Sequence, residues 1–404
     1  MRVLMLSWEY PPLVVGGLGR HVEALARALA AAGHDVRVVC RGESAGVVEE
    51  VRDGVRVVRA AVDPIDIGFT IESLLAWSQA GEHALVRAAL PLLPGWRPDV
   101  VHAHDWLVAQ AGITLSEVAG APLVATLHAT EAGRHQGWLP EPLNRAIHSV
   151  ERWLASRADA VITCSQTMRA EVASLGLAPS SVAVVPNGIE PARWRPTARE
   201  RREARTRFAG EGPVLAFAGR LVHEKGVQTL LHAVRPLRET CPQLRLAIAG
   251  TGGHEAELRA IARRQRIARA VDWLGFVPET ELPAVLAAAD VVVVPSFYEP
   301  FGIVALEAAA VATPLVVAET GGLRDLVDAG LVAGSFPAGD VDALATAVGK
   351  VLADPATAER DAARSARTVR RRFGWTAVAT RTVEVYEGAR RSFTTRAGTP
   401  TATL

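Results

Sequence analysis

The chain has 404 residues, of which 49% are hydrophobic and 22% charged, and its formal net charge is +1. This length exceeds one ordinary domain, so we expect two domains, each with its own core. A charge so close to zero argues against a general nucleic-acid binder, which needs a basic excess. Three widely spaced cysteines, Cys40, Cys164 and Cys241, fit neither a metal site nor a disulfide framework. They are typical of a reduced cytoplasmic protein.

Targeting signals are not apparent in the sequence. The opening stretch 1–10 is apolar for only a few residues before Glu9, and no small-residue cleavage site follows it. No run of about 18 apolar residues occurs, so we expect no transmembrane segment. These features predict a cytoplasmic location and leave the oligomeric state open.

Short apolar runs alternate with helical patterns along the whole chain. The runs are 2–7, 35–40, 99–103, 122–127 and 160–164 in the first half, and 213–219, 245–250, 271–276, 290–296 and 314–318 in the second. Runs this short, apolar on both faces, indicate parallel strands covered by helices. One intervening helix, 18–33, places Leu18, Val22, Leu25 and Leu29 on one face. The alternation predicts a doubly wound α/β fold.

A proline-rich segment divides this pattern into two halves. Residues 186–196 contain three prolines, and the strand–helix alternation restarts after them. We therefore predict two Rossmann-like domains, over 1–190 and 191–375, facing each other across a cleft. A final helix over 376–390 is a candidate to cross back to the first domain. The polar, Thr-rich stretch 391–404 is predicted to be a disordered tail.

The first chemical motif is the glycine-rich loop 16-GGLG-19 between the first strand and its helix. Glycines there let a ligand approach the backbone, and the helix N-terminus favours anionic groups. A dinucleotide fingerprint does not fit, because Val22 stands where the third small residue belongs and no acidic residue ends the second strand at 40–41. A plain turn remains the alternative.

The second motif is 219-GRLVHEKG-226, which follows the first strand of the second half. Its Arg220 supplies a planar donor fork and Lys225 a mobile point charge, which together suit a diphosphate. The alternative is two solvated basic residues at a helix start. That alternative is weakened because cations at a helix N-terminus are unfavourable without an anion.

The third motif is 299-EPFGIVALE-307, where two glutamates flank a predicted helix start near Phe301 or Gly302. At about 1.5 Å per residue the carboxylates of Glu299 and Glu307 are separated by up to roughly 12 Å. One could accept hydrogen bonds from sugar hydroxyls and the other from a ribose, with a diphosphate between them. The alternative is a capping carboxylate and a surface glutamate.

Together these motifs resemble retaining glycosyltransferases of the GT-B fold, family 4. The E-x7-E spacing, the R-x4-K pair, the G-G-x-G loop and the two-domain layout occur in the expected order. Further segments, 7-SWEYPP-12, 102-HAHDW-106 and 127-LHATEAGRHQGW-138, resemble glycogen synthases of bacteria and archaea. They are most similar to actinobacterial α-1,4-glucosyltransferases that elongate glucan or methylglucose polysaccharide chains.

The resemblance implies how the nucleotide part of a donor is bound. Gly16 and Gly17 would meet the donor phosphate or the transferred sugar with backbone N–H groups. Arg220 and Lys225 would neutralise the diphosphate as it leaves. Glu307 would accept hydrogen bonds from the ribose hydroxyls.

It also implies how the transferred sugar and the acceptor are bound. Glu299, with the amides around Phe301 and Gly302, would hold the glucose hydroxyls. His128 would bond the sugar near its 6-hydroxyl and turn its backbone carbonyl toward the anomeric carbon. Asp105 would lie on the acceptor side.

Several single residues have a purely structural alternative. A lone histidine such as His128 is often structural, and His102 and His104 could be satisfied core residues. Trp138 could stack on an acceptor glucose or simply pack in its loop. The basic amphipathic helix 142–159 favours packing within the fold over contact with a membrane surface.

The sequence predicts no metal and no cofactor. Asp340 and Asp342 form a D-x-D pair, which binds divalent metals in other glycosyltransferases. Here the pair follows Gly339 and opens a helical pattern, so we interpret it as a helix N-cap. The nucleotide sugar, ADP-glucose or UDP-glucose, would be a substrate.

The resemblance implies a retaining transfer of glucose from that donor to the 4-hydroxyl of an α-1,4-glucan, by front-face displacement. The expected partners are the nucleotide sugar and the glucan, with no nucleic acid. One alternative is a family 4 enzyme with a lipid-linked or small-molecule acceptor, such as a mannosyltransferase. An NAD-dependent oxidoreductase and a non-catalytic glucan-binding protein are more remote alternatives.

Overall fold

The structure, a computed structural model, describes residues 1–13, 16–61, 63, 65–176, 182–208 and 211–397. The chain divides into an N-terminal unit, Met1–Gly188 with Trp375–Leu404, and a C-terminal unit, Ile189–Gly374. Each unit has its own parallel or mostly parallel sheet and its own hydrophobic core. No helix among the described residues has both the length and the apolar character needed to cross a membrane.

The N-terminal unit is built on an eight-stranded sheet. Its strands are β1 (Arg2–Ser7), β2 (Asp35–Arg41), β3 (Val48–Arg52), β4 (Val55–Ala60), β5 (Val100–His104), β6 (Leu123–Leu127), β7 (Ala160–Thr163) and β8 (Val182–Val184). Their order is β3-β4-β2-β1-β5-β6-β7-β8, and only the β3–β4 pair is antiparallel among the described strands. Ser7 pairs with His104 and His104 with Thr126, so the loops after β1, β5 and β6 leave the sheet side by side.

Helices cover both faces of this sheet. They are α1 (Gly17–Ala31), α2 (Leu74–Ala89), α3 (Ala109–Ala119), α4 (Glu131–Arg134), α5 (Pro142–Arg157) and α6 (Gln166–Ala173). The predicted apolar face of α1 is confirmed, because Val22, Leu25 and Leu29 are buried and Leu18 packs partly against the same core. The chain leaves α1 at Gly33, whose φ of 88° is easy for glycine alone. Helix α5 packs on α3 and α4 within the unit.

The C-terminal unit has a six-stranded sheet that is parallel throughout its described strands. The strands are β9 (Val214–Ala218), β10 (Arg245–Ala249), β11 (Val271–Gly275), β12 (Val291–Val294), β13 (Leu315–Ala318) and β14 (Gly334–Phe336). Their order is β11-β10-β9-β12-β13-β14, so the strand order reverses between β9 and β12. Ligands of open α/β sheets bind where the order reverses, beyond the carboxyl ends of the strands.

Eight helices follow in this unit among the described residues. They are α7 (Ala198–Arg205), α8 (Val227–Thr240), α9 (Glu255–Arg264), α10 (Leu282–Ala288), α11 (Ile303–Ala310), α12 (Leu323–Asp328), α13 (Val341–Ala353) and α14 (Pro355–Arg372). All ten strands that the apolar runs predict are present, which confirms the doubly wound fold. Four others, β3, β4, β8 and β14, were not predicted.

The last helix, α15 (Trp375–Ala397), belongs to the N-terminal unit. Trp375 packs directly on Gly188, where a Cβ would lie 2.5 Å from the indole, and Tyr386 is fully buried. The helix continues through 391–397, which the sequence analysis assigned to a disordered tail. In these last turns the hydroxyls of Thr394 and Thr395 each donate to the carbonyl four residues earlier, at 2.9 Å, so the polar threonines are accommodated within the helix. Residues 398–404 lie outside the described part.

Candidate active site

The glycine-rich loop of the N-terminal unit leads directly into helix α1. Gly16 is the N-cap residue, and its N–H donates to Oε2 of Glu9 at 3.0 Å. The helix begins at Gly17, and its first turn contains no acidic residue. An open helix N-terminus with glycine backbone is suited to an anionic or hydroxylated ligand. Val14 and Val15, which precede it, lie outside the described residues.

Asp105 follows β5 in a strained conformation, with φ 64° and ψ 173°. Backbone in this region is almost confined to glycine and costs of order 1–3 kcal/mol, so it is usually retained for function. Oδ1 of Asp105 accepts a hydrogen bond from the backbone N–H of His128 at 2.7 Å. Burial raises the pKa of this carboxyl to about 7. Asp105 thus fixes the position of His128.

His128 stands immediately after β6, at the carboxyl edge of the sheet. Its Nε2 lies 3.2 Å from Nδ1 of His104, so its Nδ1 is the nitrogen left for a ligand. Burial lowers the pKa of His128 to about 4, and burial holds the pKa values of His104 and His21 well below the usual range. The rings are therefore neutral at pH 7, when they can donate and accept hydrogen bonds but carry no charge.

The two histidines of β5, His102 and His104, differ in their contacts. His102 is a satisfied core residue, because its nitrogens contact the hydroxyls of Tyr386 and Thr126, each at 2.7 Å. His104 is fully buried, and its Nε2 has no hydrogen-bond partner among the described residues. The structural alternative therefore holds for His102 and does not account for His104.

Trp138 lies in the loop after α4, and 72% of its surface is exposed. Packing in the protein core does not explain an indole so open to solvent. The loop itself is anchored by Thr130, whose hydroxyl caps α4, and by Glu151, whose Oε1 accepts from the N–H of Glu131 at 2.9 Å. Burial raises the pKa of Glu151 to about 8.

The C-terminal unit brings two motif residues together at its strand-order reversal. Lys225 comes from the loop after β9 and Glu299 from the loop after β12, and Nζ of Lys225 lies 2.8 Å from Oε2 of Glu299. Ser296 also donates to this Oε2, at 3.2 Å. Both described contacts fall on Oε2, and the lysine uses one of its three donors. The pair therefore retains the capacity to bind a polar ligand.

Arg220 lies in the same loop as Lys225 and is much more open to solvent. Its side chain is 61% exposed and contacts Glu224 at 3.3 Å. An exposed ion pair of this kind contributes little to stability. The guanidinium is thus free to reorient toward an anion at small cost.

Helix α11 begins at Ile303, one residue after the predicted start. Gly302 is its N-cap with φ 96°, and Phe301 is buried against Phe373. Glu307 lies on this helix and is 7% exposed. Glu307 is therefore poorly placed for solvent, as the sequence predicts, and a surface glutamate is ruled out.

A second glycine pair, absent from the sequence analysis, supports the loop that carries Glu299. The N–H of Gly322 donates to the carbonyl of Glu299 at 2.8 Å. A Cβ on Gly321 would lie 1.9 Å from that same carbonyl oxygen. Only glycine permits this close approach. The pair could have been found in 319-ETGG-322, which directly follows an apolar run.

The D-x-D pair is a helix cap, as predicted. Oδ1 of Asp340 accepts from the N–H of Ala343 at 2.9 Å and opens helix α13. A capping interaction of this kind stabilises a helix by about 1 kcal/mol.

Two family models match almost the whole chain. One, described as Glycosyltransferase Family 4, matches residues 15–193, and the other, described as Glycosyl transferases group 1, matches residues 198–369. They divide the chain close to the boundary between the two units.

Relatives with curated descriptions extend over nearly the full length. A glycogen synthase of Mycobacterium tuberculosis is 47% identical, with 97% of this chain and 95% of the relative aligned. A D-inositol 3-phosphate glycosyltransferase of Corynebacterium jeikeium is 34% identical over 88% of this chain and 89% of its own. Among solved structures, sucrose-phosphate synthase from Thermosynechococcus elongatus superposes with a TM-score of 0.80 at 25% identity, covering 96% of this chain and 98% of the other.

Proposed function

The chain belongs to glycosyltransferase family 4, and on that premise we propose that it transfers glucose from ADP-glucose or UDP-glucose to the 4-hydroxyl of an α-1,4-glucan. The anomeric configuration of the glucose is retained. The likeness to the mycobacterial glycogen synthase, over nearly all of both chains, supports the glucan as acceptor. The ion pair of Lys225 and Glu299, at the strand-order reversal, is the observation that carries the proposal within this structure.

Lys225 and Arg220 bind the diphosphate in this proposal. Lys225 is 20% exposed in its side chain, so its charge is only partly screened by water. A phosphate accepts from the remaining Nζ donors, and Arg220 turns from Glu224 to add its planar fork. The N-terminus of α11 adds a positive dipole end. These groups stabilise the charge that develops as the diphosphate leaves.

The hydroxyl groups of the donor are bound by the carboxylates and by His128. Glu299 accepts from glucose hydroxyls through Oε1, with the backbone around Phe301 and Gly302 alongside. Glu307 accepts from the ribose. The neutral ring of His128 bonds the glucose near its 6-hydroxyl, held in position by Asp105.

The reaction in this proposal is a front-face displacement. The bond between the anomeric carbon and the phosphate oxygen breaks while the acceptor 4-hydroxyl attacks from the same face. The acceptor proton passes to the leaving phosphate. The step needs no enzyme nucleophile, and the protein contributes position and electrostatic stabilisation. On the acceptor side, the exposed indole of Trp138 stacks on a glucose ring of the glucan.

A small-molecule acceptor is the second candidate. The 34% identity to a D-inositol 3-phosphate glycosyltransferase favours it, because that protein shares the family but its printed name specifies a phosphorylated cyclitol. The choice of acceptor therefore decides between the two candidates.

The test is release of nucleoside diphosphate from ADP-, UDP- and GDP-sugars, with maltooligosaccharides or inositol phosphate as acceptor, in EDTA. Release from ADP- or UDP-glucose that maltooligosaccharides stimulate, with lengthened glucan products, is the expected result. Release stimulated only by inositol phosphate, or only from another sugar donor, would replace the glucan proposal with the second candidate. Glu299→Gln serves as the site control and should abolish most of the stimulated release.

A further inference from the structure

Four histidines pack together in the core of the N-terminal unit. They are His21 on α1, His102 and His104 on β5, and His128 after β6. Three of them, His21, His104 and His128, are termed the histidine cluster below. The ring centres in the cluster are 4.5 Å apart for His21 and His128, 5.5 Å for His104 and His128, and 5.7 Å for His21 and His104. The transfer reaction proposed above uses only one of these rings.

The fourth histidine differs from the cluster because its nitrogens are already engaged. His102 contacts the hydroxyl of Tyr386 with Nδ1 and that of Thr126 with Nε2. By contrast, Nδ1 of His21 and Nε2 of His104 are buried without a hydrogen-bond partner among the described residues. Buried polar nitrogens are nearly always satisfied, so the unpartnered Nδ1 of His21 needs an explanation, and Asn187 is the one further polar side chain among the described residues that affects this ring.

The spacing of the cluster matches a tetrahedral metal site. One ring nitrogen from each of its three residues can be chosen so that all three lie within 4.8 Å of one another. Imidazole nitrogens at about 2.0–2.1 Å from a tetrahedral zinc ion lie roughly 3.3 Å apart, with ring centres roughly 5 Å apart. The measured 3.2 Å between Nδ1 of His104 and Nε2 of His128 already equals one edge of that tetrahedron. His21 supplies the third ring nitrogen.

The ligand types in the histidine cluster limit which metal ions it can bind. Three neutral imidazoles without a carboxylate suit Zn²⁺ and its neighbours Co²⁺, Ni²⁺ and Cu²⁺, and not Mg²⁺ or Ca²⁺, which prefer oxygen ligands. Three protein ligands leave the fourth position of the ion open for water.

We propose that His21, His104 and His128 form a binding site for a divalent transition-metal ion, and that the bound ion inhibits glycosyl transfer. Binding breaks the hydrogen bond between His104 and His128, and the hydrogen moves to the other nitrogen of the ring that donated it. No proton is released in this step. The inhibitory part rests on the proposed function, since an ion on Nε2 of His128 leaves the hydrogen on Nδ1, which can then no longer accept a hydrogen bond from the glucose; the binding part does not.

The binding experiment uses the full chain after removal of metals by chelation. Titration with Co²⁺ should give the visible absorption bands of a tetrahedral site, saturating at one equivalent, and Zn²⁺ should displace the cobalt. His21→Phe should weaken cobalt binding at least ten-fold, because phenylalanine fills the same space without a ligand nitrogen. His83→Phe, an exposed histidine of the same unit, is the matched control and should bind as the unaltered protein does. Absence of tetrahedral bands, or bands that His21→Phe leaves unchanged, would overturn the site.

The activity experiment measures nucleoside diphosphate release with and without Zn²⁺. Zinc should inhibit the unaltered protein reversibly, with EDTA restoring the rate, and should inhibit His21→Phe at least ten-fold less effectively. Zinc binding without inhibition would overturn the inhibitory role. If His21→Phe does not fold, His128→Ala gives the same cobalt readout, because its side chain is partly exposed. Absence of any transfer activity would refute the proposed function while the cobalt spectrum still decides the site.

Discussion

Several carboxyl groups that are largely withdrawn from solvent are held by different means in the two units. In the N-terminal unit, Glu82, Asp105 and Glu151 each accept a hydrogen bond from a backbone N–H of a different segment. Burial dominates their titration and raises the pKa values to about 7, 7 and 8. In the C-terminal unit, Glu299 pairs with Lys225 and Asp272 with Arg245.

Under the proposed function, this difference would correspond to the two kinds of chemistry that a nucleotide sugar requires. Backbone-bonded carboxyls and neutral imidazoles give the N-terminal unit polar groups of little net charge, which suit hydroxyl groups. Ion pairs give the C-terminal unit mobile charge, which suits a diphosphate. Hydrogen bonds to charged groups contribute about 1.5–3 kcal/mol and neutral ones about 0.5–1.5 kcal/mol. The largest losses of activity should therefore come from the C-terminal unit.

Removing the cation of the C-terminal site should have the largest effect. Lys225→Ala eliminates the charge opposite the leaving diphosphate and should lower kcat about 10²–10³-fold at saturating donor. Lys350→Ala is the matched control, because Lys350 is the one other lysine of the sequence and is exposed at the end of α13. Steady-state kinetics of nucleoside diphosphate release measure both. An unchanged kcat for Lys225→Ala would refute the proposal that Lys225 stabilises the leaving diphosphate.

The buried carboxyl of Glu82 should make the stability of the N-terminal unit depend on pH. Its pKa is about 7 in the folded chain against an ordinary 4.5, so the folded state holds a proton that the unfolded state has released. Stability is therefore full below pH 4.5 and falls as pH rises through 7, by up to about 3 kcal/mol.

Glu82→Gln tests this dependence because an amide does not titrate. Its oxygen can still accept from the N–H of Ala111. Relative to the unaltered protein, the variant should gain about 2–3 kcal/mol in unfolding free energy between pH 5 and pH 8, measured by urea denaturation. Glu49→Gln, on the exposed strand β3, should show no such gain. Parallel stability curves for Glu82→Gln and the unaltered protein would contradict the comparison.

Much of the fold could be predicted from the sequence because parallel strands buried on both faces leave a strong signal. The strands β5, β6, β12 and β13 are fully buried, as is β1 after its exposed first residue Arg2, and their buried residues are apolar except for Ser7, His102, His104 and Thr126. The exposed edge strand β3 has no such signal. Its hairpin could still have been found, because Asp53 and Gly54 both have positive φ and form a typical Asp-Gly turn.

The site could be predicted only motif by motif. The sequence places Lys225 and Glu299 after strands, but their contact spans 74 residues and depends on β9 and β12 being neighbours. No local pattern specifies that neighbourhood. His21 was missed for a different reason, since it lies on the apolar face of α1, where a histidine looks like part of the core. Its ring contacts come from β5, from the residue after β6 and from Trp375 of α15.

The glycines that cap α1 and α11 allow the two units to be compared by the stability cost of an added side chain. Gly302 has φ 96° and a Cβ there would lie 2.5 Å from Cδ2 of Leu323, so Gly302→Ala should destabilise the protein by about 1–2 kcal/mol. Gly16 has φ −150° and open space around it, so Gly16→Ala should cost under about 0.5 kcal/mol. Denaturation midpoints measure both variants. Equal losses would mean that the two helix starts are built alike.

The smallest effect should come from the neutral ring of the N-terminal site. His128→Ala removes one uncharged hydrogen bond to the sugar, which at about 0.5–1.5 kcal/mol corresponds to a roughly 2–10-fold fall in kcat/KM. His83→Ala, an exposed residue of the same unit, should leave kcat/KM unchanged. A fall as large as that of Lys225→Ala would mean that His128 interacts with charge in the transition state. In that case the division between a neutral N-terminal site and a charged C-terminal site would fail, because burial would not keep the ring neutral when the donor is bound.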